Sequence, residues 1–189
     1  MTVVRGGLRV ILETNRLVLK SPHPKLAGKV LDFYKNNSDF LNKWEPERCE
    51  EFYTLKYHYF DLKEQLKRFH SDNEYRFWIM KKDTAYLIGS VSLSCIIRGN
   101  FNSCFMSYKI DKKEANKGYI TEAGERVLNF GFKTAKLHRV EINVGKENNA
   151  SVRVAEKLGF LKEGLSPKYL KINGKWMDHL RYAKLNGED

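Results

Sequence analysis

The sequence is poor in cysteine. Cys49, Cys95 and Cys104 are odd in number and form no C-x-x-C pair. This argues against a disulfide scaffold and a thiolate zinc site, and it fits reduced thiols in a cytoplasmic protein. The five histidines have no metal-ligand spacing, so no metal is expected. No apolar run approaches the ~20 residues of a membrane helix. The opening MTVVRGGLRVILETNRL has a short apolar run cut off by Glu13. It lacks an h-region and a small-residue cleavage site, so no signal peptide is expected. Internal repeats, linkers and low-complexity stretches are also absent. With 42% hydrophobic and 30% charged residues, the 189-residue chain reads as globular rather than disordered, and as one domain over 1–189.

Acidic charge is in deficit: the formal net charge is +11. An anionic partner fits this balance, whether nucleic acid, a ribosome or a phosphorylated cofactor, and so does a lysine-rich solvated surface. The basic residues are spread along the chain with no block of five or six, which weighs against nucleic acid as the main partner.

Alternation predicts a strand at NRLVLKS (15–21), ended by Pro22 and Pro24. Helical spacing predicts a helix over 25–37, a short helix or turn at 38–43, and the longest helix within 47–72, with Phe52, Leu55, Tyr59, Leu62, Leu66 and Phe69 as its rhythm. Three β-rich stretches, 75–82, 85–98 and 101–112, predict an antiparallel meander. A helix over 118–135 follows, with Ile120, Ala123, Val127, Leu128 and Phe132 inward. Next come a strand (138–145), a helix stopped by Gly159 (148–159), and two strands (160–172 and 175–185) joined by Asn-Gly. The order predicts an α/β sandwich around a mixed sheet, with a strand–helix–strand crossover over about 105–145.

The loop opening that crossover helix, KKEANKGYITEAGERV (112–127), is short of glycine. A pyrophosphate needs convergent backbone N–H groups and a positive helix end, not glycine as such. Asn116 suits a left-handed position, Gly118 allows close approach, Ala115 is small and Lys117 adds a cation. Glu122 argues the other way, because a first-turn carboxylate competes for the same helix end. By spacing alone, a plain turn and a phosphate site both remain open.

ENNASVRVAEKLGF (147–160) and YLKINGKWMDHLRYAKL (169–185), together with TNRLVLKSP and LNKWEP (41–46), resemble the GNAT superfamily of N-acetyltransferases, most of all its ribosomal-protein-alanine acetyltransferase branch. The resemblance implies the GNAT fold: a mixed, mostly antiparallel central sheet with helices on both faces and a splayed parallel strand pair. It also implies acetyl-CoA as cosubstrate. In the family pattern Q/R-x-x-G-x-G/A, matched by 115–120, this chain has Ala115, Asn116 and Ile120 around the retained Gly118. The resemblance places Ala115 through Ile120, including Lys117 and Tyr119, at the CoA pyrophosphate. It places the main chain of Ser107, Tyr108, Lys109 and Ile110 along the pantetheine arm, which Asn148 also holds.

For catalysis, the resemblance leaves the usual tyrosine position vacant at Ala155 and a glutamate position vacant at Leu170. It points to Ser151 as the donor to the leaving sulfur; a plain first-turn polar residue is the alternative. The remaining bases are Glu45, Glu141 or a water chain. Trp44 and Tyr169 are expected at the acceptor. The tyrosines and Phe60 of the long helix are core or groove residues. The implied activity is direct transfer of acetyl to a primary amine, foremost a protein N-terminal amine. An α-amine, with pKa near ~8, is more readily neutral than lysine at ~10.4. A small-molecule amine (aminoglycoside, polyamine or amino acid) and a non-catalytic CoA- or RNA-binding module are the alternatives. Either a monomer or a homodimer is compatible.

Overall fold

The computed structural model describes residues 2–4, of which only the backbone, and 9–187. Part of the opening segment used to judge a signal peptide therefore lies outside the described residues. Among the described residues, nine strands form one sheet. They are β1 (Thr2–Val4), β2 (Arg9–Glu13), β3 (Leu17–Lys20), β4 (Glu74–Lys81), β5 (Leu87–Ile97), β6 (Ser103–Ile110), β7 (Arg139–Gly145), β8 (Leu161–Ile172) and β9 (Lys175–Leu185), in the order β1-β2-β3-β4-β5-β6-β7-β9-β8. Every neighbouring pair is antiparallel except β6 and β7.

That parallel pair is short. Ser103, Cys104 and Phe105 pair with Arg139, Val140 and Glu141, and there the pairing stops. β6 runs on to Ile110, held on its other edge by β5, and β7 runs on to Gly145, held by β9. Each strand thus keeps one satisfied edge and turns the other towards an open wedge, where its backbone groups need a partner from elsewhere. Gly89 on β5 supports this course of β6: a Cβ there would lie 2.2 Å from the Lys109 carbonyl oxygen.

Among the described residues, four α-helices cover the sheet: α1 (Ala27–Leu41), α2 (Leu55–His70), α3 (Tyr119–Asn129, continued by a π-helical turn, Phe130–Thr134) and α4 (Asn149–Lys157). β4 shows why both faces are covered. Phe77 and Ile79 pack into the core that holds Val127 and Leu128 of α3, while Trp78 and Met80 pack into the core that holds Val30, Phe33 and Leu62 of α1 and α2. All four strand residues are buried, so β4 is a continuous apolar run rather than an alternating one.

Several expected boundaries shift. The residues before Glu13 add two strands that pattern reading did not anticipate. α1 continues through Leu41, absorbing most of the turn expected at 38–43. The long helix begins only at Leu55, capped by Thr54 through its bond from the Tyr57 N–H, with a 3-10 turn (Glu50–Tyr53) before it. Its buried stripe is His58, Leu62, Gln65 and Phe69, and Leu55 and Tyr59 of the expected rhythm face outward. The Asn-Gly turn is as expected: Asn173 and Gly174 have φ of 47° and 82°, both left-handed as a two-residue hairpin loop requires.

Candidate active site

A cavity of about 740 Å³ lies at the open wedge, within the range of small-ligand sites. Tyr108 and Lys109 both line it. Adjacent strand residues point to opposite faces. Their contacts agree: the Tyr108 hydroxyl donates to the Ser151 carbonyl of α4 at 3.1 Å, whereas the Lys109 ammonium donates to the Tyr34 hydroxyl of α1 at 3.0 Å. The cavity therefore passes through the sheet, between the α3/α4 face and the α1 face.

On the α3/α4 face the wall is backbone and positive charge. Asn116 and Gly118 have φ of 62° and 78°. Gly118 is the N-cap of α3 and offers no side-chain cap. The first intrahelical bond runs from Glu122 N–H to the Gly118 carbonyl. Among the described residues, the N–H groups of residues 116 through 121 have no protein acceptor. Glu122 does not close this end. Its carboxylate is turned to the β2–β3 corner, accepting from the Thr14 hydroxyl (2.6 Å), the Arg16 N–H (2.9 Å) and the Arg16 guanidinium (2.6 Å). Burial pushes this carboxyl up, but those bonds and the Arg16 charge outweigh it and hold the group below the usual range. Arg16 also donates to the Lys117 carbonyl (3.1 Å) and sits 4.3 Å from the centre of the Tyr119 ring, clamping the loop from outside. Arg153 and Lys157, one turn apart on α4, line the same cavity. Pattern reading missed both, although their i, i+4 spacing on a helix beside the loop was the available signal.

Asn148 caps α4, accepting the Ser151 N–H at 3.1 Å, and both residues line the cavity. Among the described residues the Ser151 hydroxyl has no hydrogen-bond partner. Tyr108 carries more than the main-chain role expected of it. Its hydroxyl bridges the wedge to α4, and burial pushes the phenol up to about 12 despite the Ser151 bond, so it stays protonated.

On the α1 face, Phe40, Leu41, Lys43, Trp44 and Glu45 line the cavity. Glu45 lies 2.6 Å from Lys109 and 3.3 Å from Arg48. Burial acts to raise its carboxyl, but the Lys109 ammonium, aided by Arg48, prevails and lowers it. Glu45 is thus a fixed anion rather than a ready proton acceptor.

Ile110, Ala115, Asn116, Gly118, Tyr119 and Ile120 also stand on the cavity wall as expected positions. Ser107, Lys117, Glu141 and Tyr169 do not line it. The Ser107 hydroxyl contacts that of Ser92 on β5 at 2.9 Å. The Lys117 ammonium is drawn to Glu114 at 2.9 Å. Glu141 is buried where the parallel pairing ends, between Arg139 (2.9 Å) and Arg181 (2.8 Å). Burial acts to raise it, but the arginines prevail and hold it low, so it is a paired anion. Tyr169 lies on β8, where its hydroxyl accepts from Asn143 at 3.0 Å. Among the described residues no cluster of three His, Cys, Asp or Glu side chains is placed to hold a metal, and no helix is long and apolar enough to cross a membrane.

Comparison with known proteins fits this geometry. The model of the acetyltransferase (GNAT) domain matches residues 16–161. The chain is 40% identical over 163 residues to the probable N-acetyltransferase YjcK of Bacillus subtilis, covering 86% of this chain and 90% of that one. It is 32% identical over 176 residues to the [ribosomal protein uS5]-alanine N-acetyltransferase of Escherichia coli, covering 93% and 90%. The crystal structure of a ribosomal-protein-S5-alanine acetyltransferase from Vibrio fischeri superposes with a TM-score of 0.90 at 29% identity, covering 95% of this chain and 98% of that one. An uncapped helix end facing a wedge between two parallel strands is the arrangement that the family resemblance implied, and with these matches the chain belongs to the GNAT family and is an acetyl-CoA-dependent N-acetyltransferase.

Proposed function

We propose that the acceptor is the α-amine of a protein N-terminus, of the ribosomal-protein kind, and that it attacks directly, without an acyl-enzyme. One observation carries the reading: a single cavity crosses the sheet, with free amides and cations at one end and Trp44, Glu45 and Lys109 at the other. Two reactants can therefore approach from opposite faces and meet at the wedge. The similarity to the uS5-alanine acetyltransferase over most of both chains supports an N-terminal acceptor.

When bound, acetyl-CoA supplies an already activated thioester. The rest is the work of this chain. The N–H groups of 116 through 121 donate to a diphosphate at the positive end of α3, and Arg153 and Lys157 add charge beside it. The unpaired edges of β6 and β7 hold an extended amide-bearing arm, with Asn148 at its side. Ser151 donates a proton to the departing sulfur and recovers one from the proton that the attacking nitrogen loses, relayed through water; its hydroxyl is uncommitted and stands on the cavity wall. Glu45, ionised and held by Lys109, orients the amine rather than deprotonating it. Holding the two reactants in contact lowers the barrier by on the order of 7 kcal/mol. An α-amine with pKa near ~8 is partly neutral without a strong base.

The test is a thiol-release assay with acetyl-CoA and three acceptors: a peptide with a free α-amine, the same peptide Nα-blocked but carrying lysine, and a polyamine. Turnover is expected with the first alone, mass spectrometry placing the acetyl group on the terminal nitrogen. Faster turnover of the blocked peptide or the polyamine would overturn the reading. No turnover with any amine, alongside tight CoA or RNA binding, would favour a non-catalytic module. The kcat/KM profile is expected to rise with pH towards ~8, following the amine rather than Glu45.

A further inference from the structure

Behind Trp44 the acceptor end meets a second cavity of about 270 Å³. Lys43 and Trp44 line both cavities, so the two adjoin across that indole. The smaller one has an apolar lining of Ile172, Met177 and Trp44, and its ionisable lining residues are Lys43, Lys175 and His179. Among the described residues, no carboxylate lines it. Among the described residues, neither Lys43 nor Lys175 is ion-paired with an Asp or Glu. The His179 Nδ1 lies 3.1 Å from the Met177 carbonyl oxygen. A carbonyl only accepts, so Nδ1 carries the hydrogen and Nε2 is left to meet whatever enters.

This cavity is built, not incidental. Asn173, at the tip of the β8–β9 hairpin, accepts the Glu47 N–H and donates to the Asn42 carbonyl, both at 2.9 Å. The hairpin is thereby bolted to the segment that carries Lys43, Trp44 and Glu45. Gly145, at the end of β7, runs beneath the indole: a Cβ there would lie 3.9 Å from it. The cavity thus keeps a fixed position beside the point where the acceptor amine meets the wedge.

Resting on the proposed N-terminal acceptor, we infer that this cavity is a carboxylate subsite, which takes the acidic side chain of the residue following the acetylated amine. The apolar lining suits the methylenes of such a side chain, and the unpaired cations suit its charge. A lysine there would meet two ammonium groups with no counter-charge, which selects against polycationic acceptors. The same chemistry would accept the α-carboxylate of a free amino acid.

Three peptides that differ only in Glu, Gln or Lys at the second position decide this, assayed by thiol release alongside free glutamate and a polyamine. They are run on the wild type and on a Lys43→Glu/Lys175→Glu double variant. The Glu peptide is expected to exceed the Gln peptide by about tenfold in kcat/KM, and the Lys peptide by more, with the gap narrowing as salt is raised. The double variant is expected to reverse the order of the three peptides. Equal kcat/KM for all three peptides on the wild type overturns the subsite and leaves transfer to N-termini standing, as does a Glu preference that survives in the double variant. Free glutamate used better than the Glu peptide upholds the carboxylate subsite but makes a free amino acid its source. Transfer to a polyamine with no peptide turned over overturns the N-terminal reading and the subsite with it.

Discussion

At Gly118, φ is +78°, and the N–H groups on either side of it are the ones left without acceptors. Gly118→Val places a β-branched residue in the left-handed region, at a cost of about 1–2 kcal/mol, and crowds the approach to those amides. The acetyl-CoA Kd is expected to rise at least about tenfold by calorimetry, with the circular dichroism spectrum retained; an unchanged Kd would move the phosphates elsewhere. At Ser151 the hydroxyl is free, and its backbone is already tied at both the N–H and the carbonyl. Ser151→Ala is therefore expected to leave the local fold and acetyl-CoA affinity intact while lowering kcat on the order of 100-fold, the worth of a positioned general acid. A kcat within twofold of wild type would remove that role.

At the scale of elements, α4 has a dual assignment, and its cap separates the parts. Asn148→Ala loses the bond to the Ser151 N–H, worth about 1 kcal/mol, or roughly 2–4 °C in Tm for a chain of this size without ligand. Asn148→Asp restores the acceptor and is expected to recover the Tm. An unchanged Tm in Asn148→Ala would show that the helix needs no cap there. α2 carries a different device. His58 is fully buried, stacked on Tyr34 at 5.4 Å and 6° and edged by Phe52 at 4.9 Å, and among the described residues neither ring nitrogen has a hydrogen-bond partner. Burial lowers its pKa below the ordinary 6.5, with Asp61 opposing. The unfolded chain then binds the proton more readily than the folded one. Stability is complete above 6.5 and is lost as pH falls through the depressed folded value. His58→Phe is expected to flatten this acid limb in denaturant titrations run above and below that value; parallel losses in both proteins would place the acid sensitivity elsewhere.

For the molecule as a whole, the wedge is where the fold is incomplete. Two strands that pair over three residues each and then part leave backbone edges free to pair with a bound chain in place of water. Acetyl-CoA at about 100 times its Kd is expected to stabilise the protein by about 2.7 kcal/mol, raising Tm by roughly 5–10 °C. Amide exchange is expected to slow most over 116 through 121 and along β6 and β7 beyond Phe105 and Glu141. Slowing confined to other segments would show that the wedge is not the binding site.

The resemblance carried by residues 147–160 and 169–185, and the local rules behind it, determined much of this protein. A left-handed Asn116, a Gly118 helix start, an Asn-Gly hairpin and the inward stripe of α3 are all consequences of short-range sterics and periodicity. Long-range contact decided the rest. Whether Glu122 would block the helix end depended on Arg16 and Thr14, more than a hundred positions away in sequence. Whether Glu45 or Glu141 could serve as a base depended on Lys109 and on Arg139 and Arg181, which the sheet brings to them. On α2, Leu62 and Phe69 face inward as expected, but Leu55 and Tyr59 face outward, because periodicity cannot say which side of a helix with aromatics all round will meet the sheet. Local conformation follows from a few neighbouring residues, but charge and accessibility at a site are set by the groups that tertiary packing places around it.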